Sequence, residues 1–432
     1  MARASDSADP ARTLECVDCE TRFDDRWRCT CGSPLRFAEA PIPDGEPPEP
    51  GALDGRPGLW AFEAFLPVGD DPADRVTLGE GMTPLVDPDR TVGKEDGRDG
   101  ESDDRDGESD GRDGESDDRD AIDPWNAAFK LEYVFPTGSF KDRGATTTLT
   151  RASELGVERV VEDSSGNAGA AIATYAARAG IDAEVYVPAD VKASKLRAIR
   201  RAGATPVRIE GSRADVTEAC IAALDGEADG NREGEGDGDG NDDGGDGTSP
   251  AWYASHAWNP AFFEGTATIA YEIACQRGWE APDAVVTPLG HGTLFLGAYW
   301  GFRRLRRAGW IDEVPKLYGA QAAGIAPVVE AIYGPEAADP DGKGNESADG
   351  IRIANPVRID EIREAIAETG GDAVAITGSD AERELDRLHA AGFYTEPTCA
   401  VAPAALRKLR ERGAIRDDED VVVPLTGSGL KG

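Results

Sequence analysis

The sequence predicts an α/β protein with two doubly wound domains, each a parallel sheet covered by helices on both faces, and a small four-cysteine knuckle at the N-terminus. Short apolar segments alternate with longer helical segments between residues 159 and 424, which is the pattern that parallel sheets produce. Several helical segments end at a glycine, the residue best suited to the left-handed conformation that closes a helix. The chain has 432 residues, which is enough for two such domains.

Strands are predicted where short runs of consecutive residues are mostly valine, isoleucine or other apolar types. They are residues 159–162, 183–187, 205–209, 283–287, 316–320 and 421–424. Helices are predicted over residues 167–178, 191–201, 294–308 and 380–391. The first helix is rich in alanine, the strongest helix former, and it is followed by Gly180, as the second is by Gly203. These two helices connect consecutive strands, as crossover connections in a parallel sheet do.

The chain is expected to divide into the cysteine knuckle and two domains. Residues 1–40 contain the cysteine knuckle, and a proline-rich linker follows it. Residues 41–149 and 251–432 are expected to form a large domain, and residues 150–224 a small domain between them. A chain of this length with 39% hydrophobic residues can bury a core in each domain.

Two acidic segments are expected to be disordered inserts. Residues 94–120 carry 14 acidic and five basic residues, and their core repeats a seven-residue unit three times. Residues 225–250 have a similar composition, and residues 335–350 are expected to form a third, milder polar insert. Segments with almost no apolar residues cannot bury a core. Such inserts are tolerated in surface loops because the entropy of loop closure grows slowly with length.

The overall charge excludes several classes of partner. The chain has 46 basic and 83 acidic residues, a net charge of −37, which repels nucleic-acid phosphates and anionic lipid. No apolar run approaches the ~18 residues that would span a membrane. Only nine of the basic residues are lysines, and this scarcity with an excess of aspartate resembles proteins from halophiles. From the net charge and the lack of a long apolar run, we expect neither a nucleic-acid partner nor a membrane partner.

The cysteines predict a reduced protein with one metal site. There are seven cysteines, and an odd number without a recognisable signal peptide predicts free thiols and a cytoplasmic location. Four of them form Cys-x-x-Cys and Cys-x-Cys pairs: Cys16, Cys19, Cys29 and Cys31. Four thiolates in two close pairs suit a structural zinc ion, with no open position for water. The second pair is closer than is usual for zinc, and a metal-free segment is the alternative.

Four further motifs could carry chemistry. They are residues 136–144 (PTGSFKDRG), 163–169 (DSSGNAG), 285–293 (VVTPLGHGT) and 422–431 (VVPLTGSGLK). Lys141 in the first motif suits Schiff-base formation, for which arginine cannot substitute because its guanidinium stays protonated. The second and third motifs join a strand to a helix, where backbone N–H groups can bind an anion. Taken singly, each has a plainer interpretation as a surface lysine, a helix cap, an ordinary turn or a terminal strand.

In this order, the four motifs resemble those of fold-type II pyridoxal-phosphate (PLP) enzymes. The form PTGSFKDRG resembles threonine synthases in particular, and so do residues 79–85 (GEGMTPL). The pairs at residues 259–260 (NP), 264–265 (EG) and 272–273 (EI) also resemble that family, and its archaeal-type members share an N-terminal cysteine knuckle. The resemblance covers residues 57–432 apart from the inserts. It implies the tryptophan synthase beta-like architecture and PLP as the cofactor.

The resemblance also implies a role for individual residues. Lys141 would bind the cofactor through a Schiff base and then move protons at the substrate's Cα and Cβ. Asn167 would hydrogen-bond the ring oxygen of the cofactor, and Thr426 would face its pyridine nitrogen. The backbone of four residues would bind the cofactor phosphate: Gly290, His291, Gly292 and Thr293. The N–H groups of Ser164, Ser165 and Ala168 would receive the substrate carboxylate.

One position departs from the threonine synthase pattern. Where that family commonly has an arginine that binds the substrate phosphate, three residues after the Asn of the NP pair, this chain has Phe262. A phenyl ring offers no donor to an oxyanion. His256, Arg213 and Lys192 are candidates to replace the missing arginine, and the residues alone do not rank them.

The resemblance implies a PLP-dependent lyase that eliminates phosphate from O-phosphohomoserine and adds water to give threonine. One alternative keeps the fold but changes the leaving group, giving a serine or threonine dehydratase or a β-replacement synthase; Phe262 and the Ser-Ser-Gly-Asn sequence favour it, and Lys-Asp-Arg at 141–143 speaks against it. Another alternative is a non-catalytic, zinc-bearing interaction protein. The expected ligand is a small amino acid, and the resemblance further implies a homodimer.

Overall fold

The computed structural model describes residues 12–89, 124–224 and 250–431, apart from Asp54, Arg56 and Asp70. The expected insert at 94–120 lies outside the described residues, and so does the insert at 225–250 except for Pro250. The following description concerns only the described residues.

The strands and helices alternate over most of the described chain. The strands are β1 (Leu14–Cys16), β2 (Arg22–Phe23), β3 (Leu35–Phe37), β4 (Leu85–Val86), β5 (Ala128–Lys130), β6 (Arg159–Glu162), β7 (Asp182–Pro188), β8 (Thr205–Ile209), β9 (Trp252–Tyr253), β10 (Ala284–Pro288), β11 (Lys316–Ala322), β12 (Asp372–Ile376) and β13 (Val421–Pro424). The α-helices are α1 (Lys141–Glu154), α2 (Asn167–Ala179), α3 (Ala193–Arg201), α4 (Arg213–Ala222), α5 (Pro260–Gln276), α6 (Thr293–Arg307), α7 (Pro327–Tyr333), α8 (Pro335–Ala338), α9 (Ile359–Thr369), α10 (Gly378–Ala390) and α11 (Pro397–Glu411). Every strand and helix predicted from the sequence is present, with its ends within two residues of the expected ones.

The larger sheet has six strands in the order β12-β11-β10-β13-β5-β4. All neighbours are parallel except the pair β4 and β5. Because side chains alternate between the faces of a strand, Val285 and Val422 pack into one core with α5, α6 and α9. Val286 and Val423 pack into a second core with α10 and α11. Helices therefore cover both faces, as predicted.

The smaller sheet has four parallel strands in the order β8-β7-β6-β9. Val160 and Val185 pack against α1 and α2 on one face, whereas Val161 and Tyr253 pack with α4 on the other. The prediction of two parallel sheets is confirmed. Strand β9 follows the second acidic segment and pairs with β6, so the carboxyl ends of these two strands lie side by side.

Helix α5 joins the two sheets through close contacts with α1 and α6. It is buried along its whole length up to Cys275. A Cβ atom at Gly265 would lie 1.9 Å from the carbonyl oxygen of Arg143 in α1, and one at Gly297 in α6 would lie 2.3 Å from Oγ1 of Thr266. Glycine at both positions therefore allows three helices to approach one another, which fixes Lys141, the first residue of α1, between the sheets.

Several family-like motifs meet in a buried ionic network and not at a ligand site. Arg143 donates to both carboxylate oxygens of Glu132, at 2.6 and 2.8 Å, and to both of Glu272, at 2.6 and 2.8 Å. The Lys130 ammonium lies 2.7 Å from Glu272 and 2.6 Å from the carbonyl oxygen of Thr83. Two cations and two carboxylates balance in charge, so the arginine of KDRG, the threonine of GEGMTPL and the glutamate of the EI pair have a structural role here.

The cysteine segment is a separate three-stranded antiparallel sheet, β2-β1-β3. Its apolar residues Leu14 and Leu35 pack against Ala261 at the start of α5. The carbonyl oxygen of Leu35 also accepts a hydrogen bond from the buried Arg358, at 2.6 Å. The knuckle is therefore tied to the same helix that connects the two larger sheets.

Candidate active site

A large cavity of about 1010 Å³ lies at the carboxyl ends of strands from both sheets. Its wall includes the loops after β6, β10 and β13 together with the start of α1. Ligands of open parallel sheets bind at this edge. All four motifs singled out in the sequence therefore meet in one place, although they lie far apart along the chain. Glu346, Ser347, Asp349 and Gly350 also line the cavity, so part of the expected third insert borders the site.

Lys141 projects into this cavity as a largely unpaired amine. Among the described residues, the Lys141 ammonium group makes one specific contact: Nζ lies 4.0 Å from the centroid of the Phe140 ring. Burial lowers the pKa of Lys141 to about 8, although Glu396 and Glu162 act in the opposite direction. A lysine with a pKa near 8 has a much larger neutral, nucleophilic fraction near neutral pH than an exposed lysine has. Lys141 therefore has the properties that Schiff-base formation requires.

The loop from Gly290 to Thr293 forms an anion cradle at the start of α6. Gly292 has φ +82°, and a Cβ atom there would lie 2.5 Å from Ile362, so only glycine fits. The N–H groups of Gly290, His291 and Gly292 hydrogen-bond no other described residue, and they adjoin the positive end of the helix dipole. Such an arrangement suits a phosphate group.

A second anion cradle lies at the start of α2. Asn167 and Ala168 open the helix, and Ser164 and Ser165 precede it; all four residues line the cavity. A Cβ atom at Gly169 would lie 1.8 Å from the carbonyl oxygen of Ser164, which explains the glycine there. With no acidic side chain in its first turn, this helix end suits the carboxylate of an amino acid.

The side chain of Asn167 is held from both ends. Its amide nitrogen donates to Glu396 at 3.0 and 3.2 Å, and its amide oxygen accepts from the Lys431 ammonium at 3.0 Å. Burial raises the pKa of Glu396, while Asn167, Lys431 and Lys141 lower it. The sequence reasoning missed Glu396. The one available signal was a glutamate directly before Pro397, the first residue of α11.

Thr426 lies at the end of β13 and presents a hydroxyl at the cavity wall. Its Oγ1 lies 3.4 Å from the buried thiol of Cys399, and its carbonyl oxygen accepts from the N–H of Phe140 at 3.1 Å. The terminal segment thus holds the residue before Lys141 in place. The N–H of Glu396 donates to the carbonyl oxygen of Gly427, the residue after Thr426, at 3.0 Å. The same segment therefore also positions Glu396.

The cavity collects positive charge on an otherwise acidic chain. Four of the nine lysines line it, and so do all three histidines. The lining cations are Lys141, Lys192, Lys195, Arg213, Arg352 and Lys431, against the carboxylates of Glu346, Asp349 and Glu396. This charge favours an anionic ligand.

Phe262 does not line the cavity. It is fully buried in the core of the smaller sheet, where a Cβ atom at Gly144 would touch its ring at 2.1 Å. Its ring centroid lies 6.1 Å from that of His256, which does line the cavity. All three residues considered as replacements for the missing arginine, His256, Arg213 and Lys192, line it as well.

The residues at this cavity fit pyridoxal phosphate. A lysine with a lowered pKa, a glycine cradle for a phosphate and a hydroxyl just after β13 occur together. Two buried polar atoms of the wall, Nδ1 of His291 and Oγ1 of Thr395, also have no hydrogen-bonding partner among the described residues. A polar ligand would satisfy such atoms.

The four cysteines of the N-terminal segment form one compact cluster. Their sulfur atoms all lie within 4.8 Å of one another, with Cys16 and Cys31 at 3.5 Å and Cys19 and Cys29 also at 3.5 Å. Two of the thiols are buried and two are exposed. This geometry accommodates one tetrahedral metal ion. The cluster is far along the chain from the cavity motifs and contributes nothing to the cavity wall.

Comparison with known proteins gives concordant results. The model of the family described as "Pyridoxal-phosphate dependent enzyme" matches residues 124–427. The threonine synthase of Methanosarcina acetivorans is 34% identical over 380 residues, covering 87% of this chain and 80% of that protein. The threonine synthase of Methanocaldococcus jannaschii is 33% identical over 383 residues, with the same coverage of 87% and 80%.

Solved structures agree on the fold. A pyridoxal 5'-phosphate-dependent aspartate racemase superposes with a TM-score of 0.55 at 21% identity, covering 71% of this chain and 86% of that chain. A threonine deaminase from Solanum lycopersicum superposes with a TM-score of 0.54 at 19% identity, covering 70% of this chain and 76% of that chain.

In the described part of the chain, no helix has the length and apolar character needed to cross a bilayer.

Proposed function

The chain belongs to the family of pyridoxal-phosphate dependent enzymes and, within it, to the threonine synthases, and we propose that it converts O-phosphohomoserine and water into threonine and phosphate. The observation that carries this proposal is the half-buried Lys141, whose amine has no hydrogen bond to the described residues, between two anion cradles in a cavity rich in cations. The substrate has two anionic groups, a carboxylate and a phosphate, and a cavity of this kind can bind both.

Each part of the site has a distinct task in this reaction. When bound, pyridoxal phosphate supplies the electron-withdrawing system that makes C–H bonds of the amino acid acidic. The loop Gly290–Thr293 would hold its phosphate, and Asn167, fixed by Glu396 and Lys431, would orient its ring oxygen. The neutral amine of Lys141 would accept the protons removed in turn from the substrate's Cα and Cβ, and deliver them to Cγ, once phosphate has left, and to Cα. The N-terminus of α2 orients the substrate carboxylate.

The phosphate of the substrate would be bound without the family's arginine. Phe262 occupies that position and faces the core, whereas Lys192 and Arg213 line the cavity on the side of the smaller sheet. Their charges can attract a phosphate dianion from several ångströms away in a partly enclosed site. We therefore assign the attraction of the leaving group to these two side chains.

The test of this function uses the full-length enzyme with its cofactor in a high-salt buffer. Incubation with O-phosphohomoserine is expected to release phosphate and threonine in equal amounts. The control is K141A, which is expected to lose both the visible absorbance of the lysine-bound cofactor and the activity. Absence of phosphate release from a protein that has pyridoxal phosphate bound would contradict the proposed substrate.

The main alternative is a dehydratase acting on serine or threonine. The burial of Phe262 away from the cavity favours it, because the usual phosphate-binding guanidinium is missing. Formation of a 2-oxo acid from either amino acid, without phosphate release from O-phosphohomoserine, would establish this alternative. A non-catalytic role predicts neither product and no cofactor absorbance that depends on Lys141.

We also propose that the four-cysteine cluster binds one structural zinc ion. The close approach of the four sulfur atoms supports this assignment. Metal analysis of the purified protein is expected to find one zinc per chain, lost in the C16S/C31S double variant without loss of the lysine-bound cofactor. The division into a large domain and a small domain at residues 150–224, and a homodimer, are further proposals that limited proteolysis and sedimentation can test.

A further inference from the structure

Two of the three histidines meet at one corner of the cavity, next to a buried carboxyl group. The ring centroids of His256 and His291 are 5.2 Å apart, with the rings nearly perpendicular. His256 follows β9, and Glu162 is the last residue of β6. Because these strands are adjacent and parallel, their carboxyl ends bring the two side chains together. Neither His256 nor Glu162 belongs to a motif that the sequence analysis used for the function.

The contacts join the two side chains directly. Nδ1 of His256 lies 2.8 Å from Oε1 of Glu162, and the backbone N–H of His256 donates to Oε2 at 3.3 Å. These contacts fit a carboxylate that accepts from Nδ1–H, and they equally fit a carboxylic acid whose Oε2 accepts as a carbonyl while Oε1 donates its proton to Nδ1. In the acid form, the neutral imidazole must carry its own proton on Nε2, which has no partner among the described residues, on a ring that lines the cavity.

The surrounding charges favour the same neutral state. Glu162 is completely buried, and burial followed by the nearby Asp163 raises its pKa well above the ordinary range. Burial lowers the pKa of His256 well below its ordinary range, with smaller contributions from Lys141, His291 and Arg213. An acid with a raised pKa next to a base with a lowered pKa keeps the proton on the carboxyl group.

We propose that Glu162 and His256 form a proton relay that serves the oxygen leaving from, and the water adding to, the substrate side chain. The inference rests on the proposed function. As the C–O bond to phosphate breaks, its electron pair stays on the oxygen, which takes the Nε2 proton, while Nδ1 takes the proton of Glu162 and leaves a carboxylate. When water adds to the substrate, its proton goes to Nε2 and the Nδ1 proton returns to Glu162.

The relay solves a specific chemical problem. Without a proton donor, a phosphate monoester dianion would have to leave as a trianion, which is a poor leaving group. Lys141 cannot also supply this proton, because the proton that it takes from Cβ is the one that Cγ needs once phosphate has left. Since the relay regains its proton from water, the protein ends the cycle in its starting state.

The variant E162Q separates a relay from a purely structural contact. A glutamine amide can donate to Nδ1 and accept from the backbone N–H as the carboxylic acid does, but it cannot give up its proton. We expect E162Q and H256Q each to lower kcat by about 100-fold or more, with KM changed by less than about threefold. The double variant is expected to be no slower than the slower single variant, because both changes break one chain. A kcat for E162Q within about threefold of wild type, or multiplicative losses in the double variant, would overturn the relay.

A second readout does not depend on turnover. Three histidines give three imidazole signals in the ¹⁵N spectrum of the labelled holoenzyme, and H256Q and H389Q assign them. The relay predicts that His256 is neutral with its proton on Nε2 between about pH 6 and pH 9, in both wild type and E162Q. An imidazolium, or a proton on Nδ1, would overturn it. If wild type releases no phosphate, the proposed substrate fails, and this spectrum still decides the state of the pair.

Discussion

At the scale of single residues, the lowered pKa of Lys141 leads to a pH prediction. Burial lowers that pKa to about 8; Glu396 acts to raise it, and Lys431 acts to lower it further. The amine is charged below its pKa and nucleophilic above it. We expect the rate at which the cofactor-free protein takes up pyridoxal phosphate to rise with pH around a midpoint near pH 8, as measured by stopped-flow absorbance.

The two neighbouring charges should move this midpoint in opposite directions. E396Q removes a charge that raises the pKa of Lys141, so the midpoint should fall. K431M removes a charge that lowers it, so the midpoint should rise. The two variants control for each other because they remove charges of opposite sign: E396Q keeps an amide oxygen that can accept from Asn167, whereas K431M loses its hydrogen bond to the Asn167 amide oxygen. Shifts of equal sign, or a wild-type midpoint near that of an exposed lysine, would contradict this account of the site.

At the scale of secondary-structure elements, the crossing of α1 and α5 depends on glycine. A Cβ atom at Gly265 would lie 1.9 Å from the carbonyl oxygen of Arg143, which belongs to the backbone and cannot rotate away. We expect G265A to destabilise the protein by about 1–3 kcal/mol, measured from guanidinium unfolding. The control is G378A in α10, where a Cβ atom would meet nothing closer than 3.7 Å. That change should be neutral or stabilising by a few tenths of a kcal/mol.

The buried ionic network of Lys130, Arg143, Glu132 and Glu272 gives an independent prediction. Burial raises the pKa of Glu272, but Arg143 and Lys130 outweigh burial and lower it to about 2. E272Q leaves two buried cations with one carboxylate, so we expect a loss of about 3–5 kcal/mol. The ordinary pKa is 4.5; the carboxylate therefore stabilises the fold fully above that pH and loses this contribution as the pH falls toward 2. The difference in the free energy of unfolding between wild type and E272Q, measured with denaturant, should be constant from pH 8 to pH 5 and become smaller below pH 5. An equal difference at pH 3 and pH 7 would contradict it.

The elements that the sequence predicted are those with a clear local signal. Valine-rich strands and alanine-rich helices that end in glycine gave bounds close to those observed. Helix α1 was not predicted, because its sequence contains four threonines and a glycine, which are poor helix formers; burial against α5 stabilises it. Strands β5 and β9 have only three and two residues, too few for a periodic pattern. Glu162 and His256 meet only through the pairing of two strands, and no local pattern reveals such a contact.

At the scale of the whole molecule, charge is distributed by function. The chain carries −37, yet six cations and three carboxylates line the cavity. The acidic residues elsewhere repel one another, and salt screens that repulsion over about 10 Å at 0.1 M. A cationic cavity in an acidic protein draws an anionic substrate toward one place on its surface. Salt screens this attraction as it screens the repulsion between the acidic residues.

We expect that the first acidic segment can be removed without loss of the fold, because described residues on either side of it contact one another. The N–H groups of Trp125 and Asn126 donate to the two carboxylate oxygens of Asp89 at 2.9 and 2.7 Å. Replacing residues 91–122 by a four-residue Gly/Ser linker should leave kcat unchanged and add about 1.5 kcal/mol of stability from the shorter loop. The salt concentration needed for half-maximal stabilisation should fall, since residues 94–120 carry 14 acidic and five basic residues.

A control variant of full length, in which Asn and Gln replace Asp and Glu of this segment, separates the effect of charge from the effect of length. It should show the reduced salt dependence without the gain in stability from loop closure. Thermal unfolding across a series of KCl concentrations measures both, and a loss of folding or activity in the shortened chain would show that the segment has a role beyond charge.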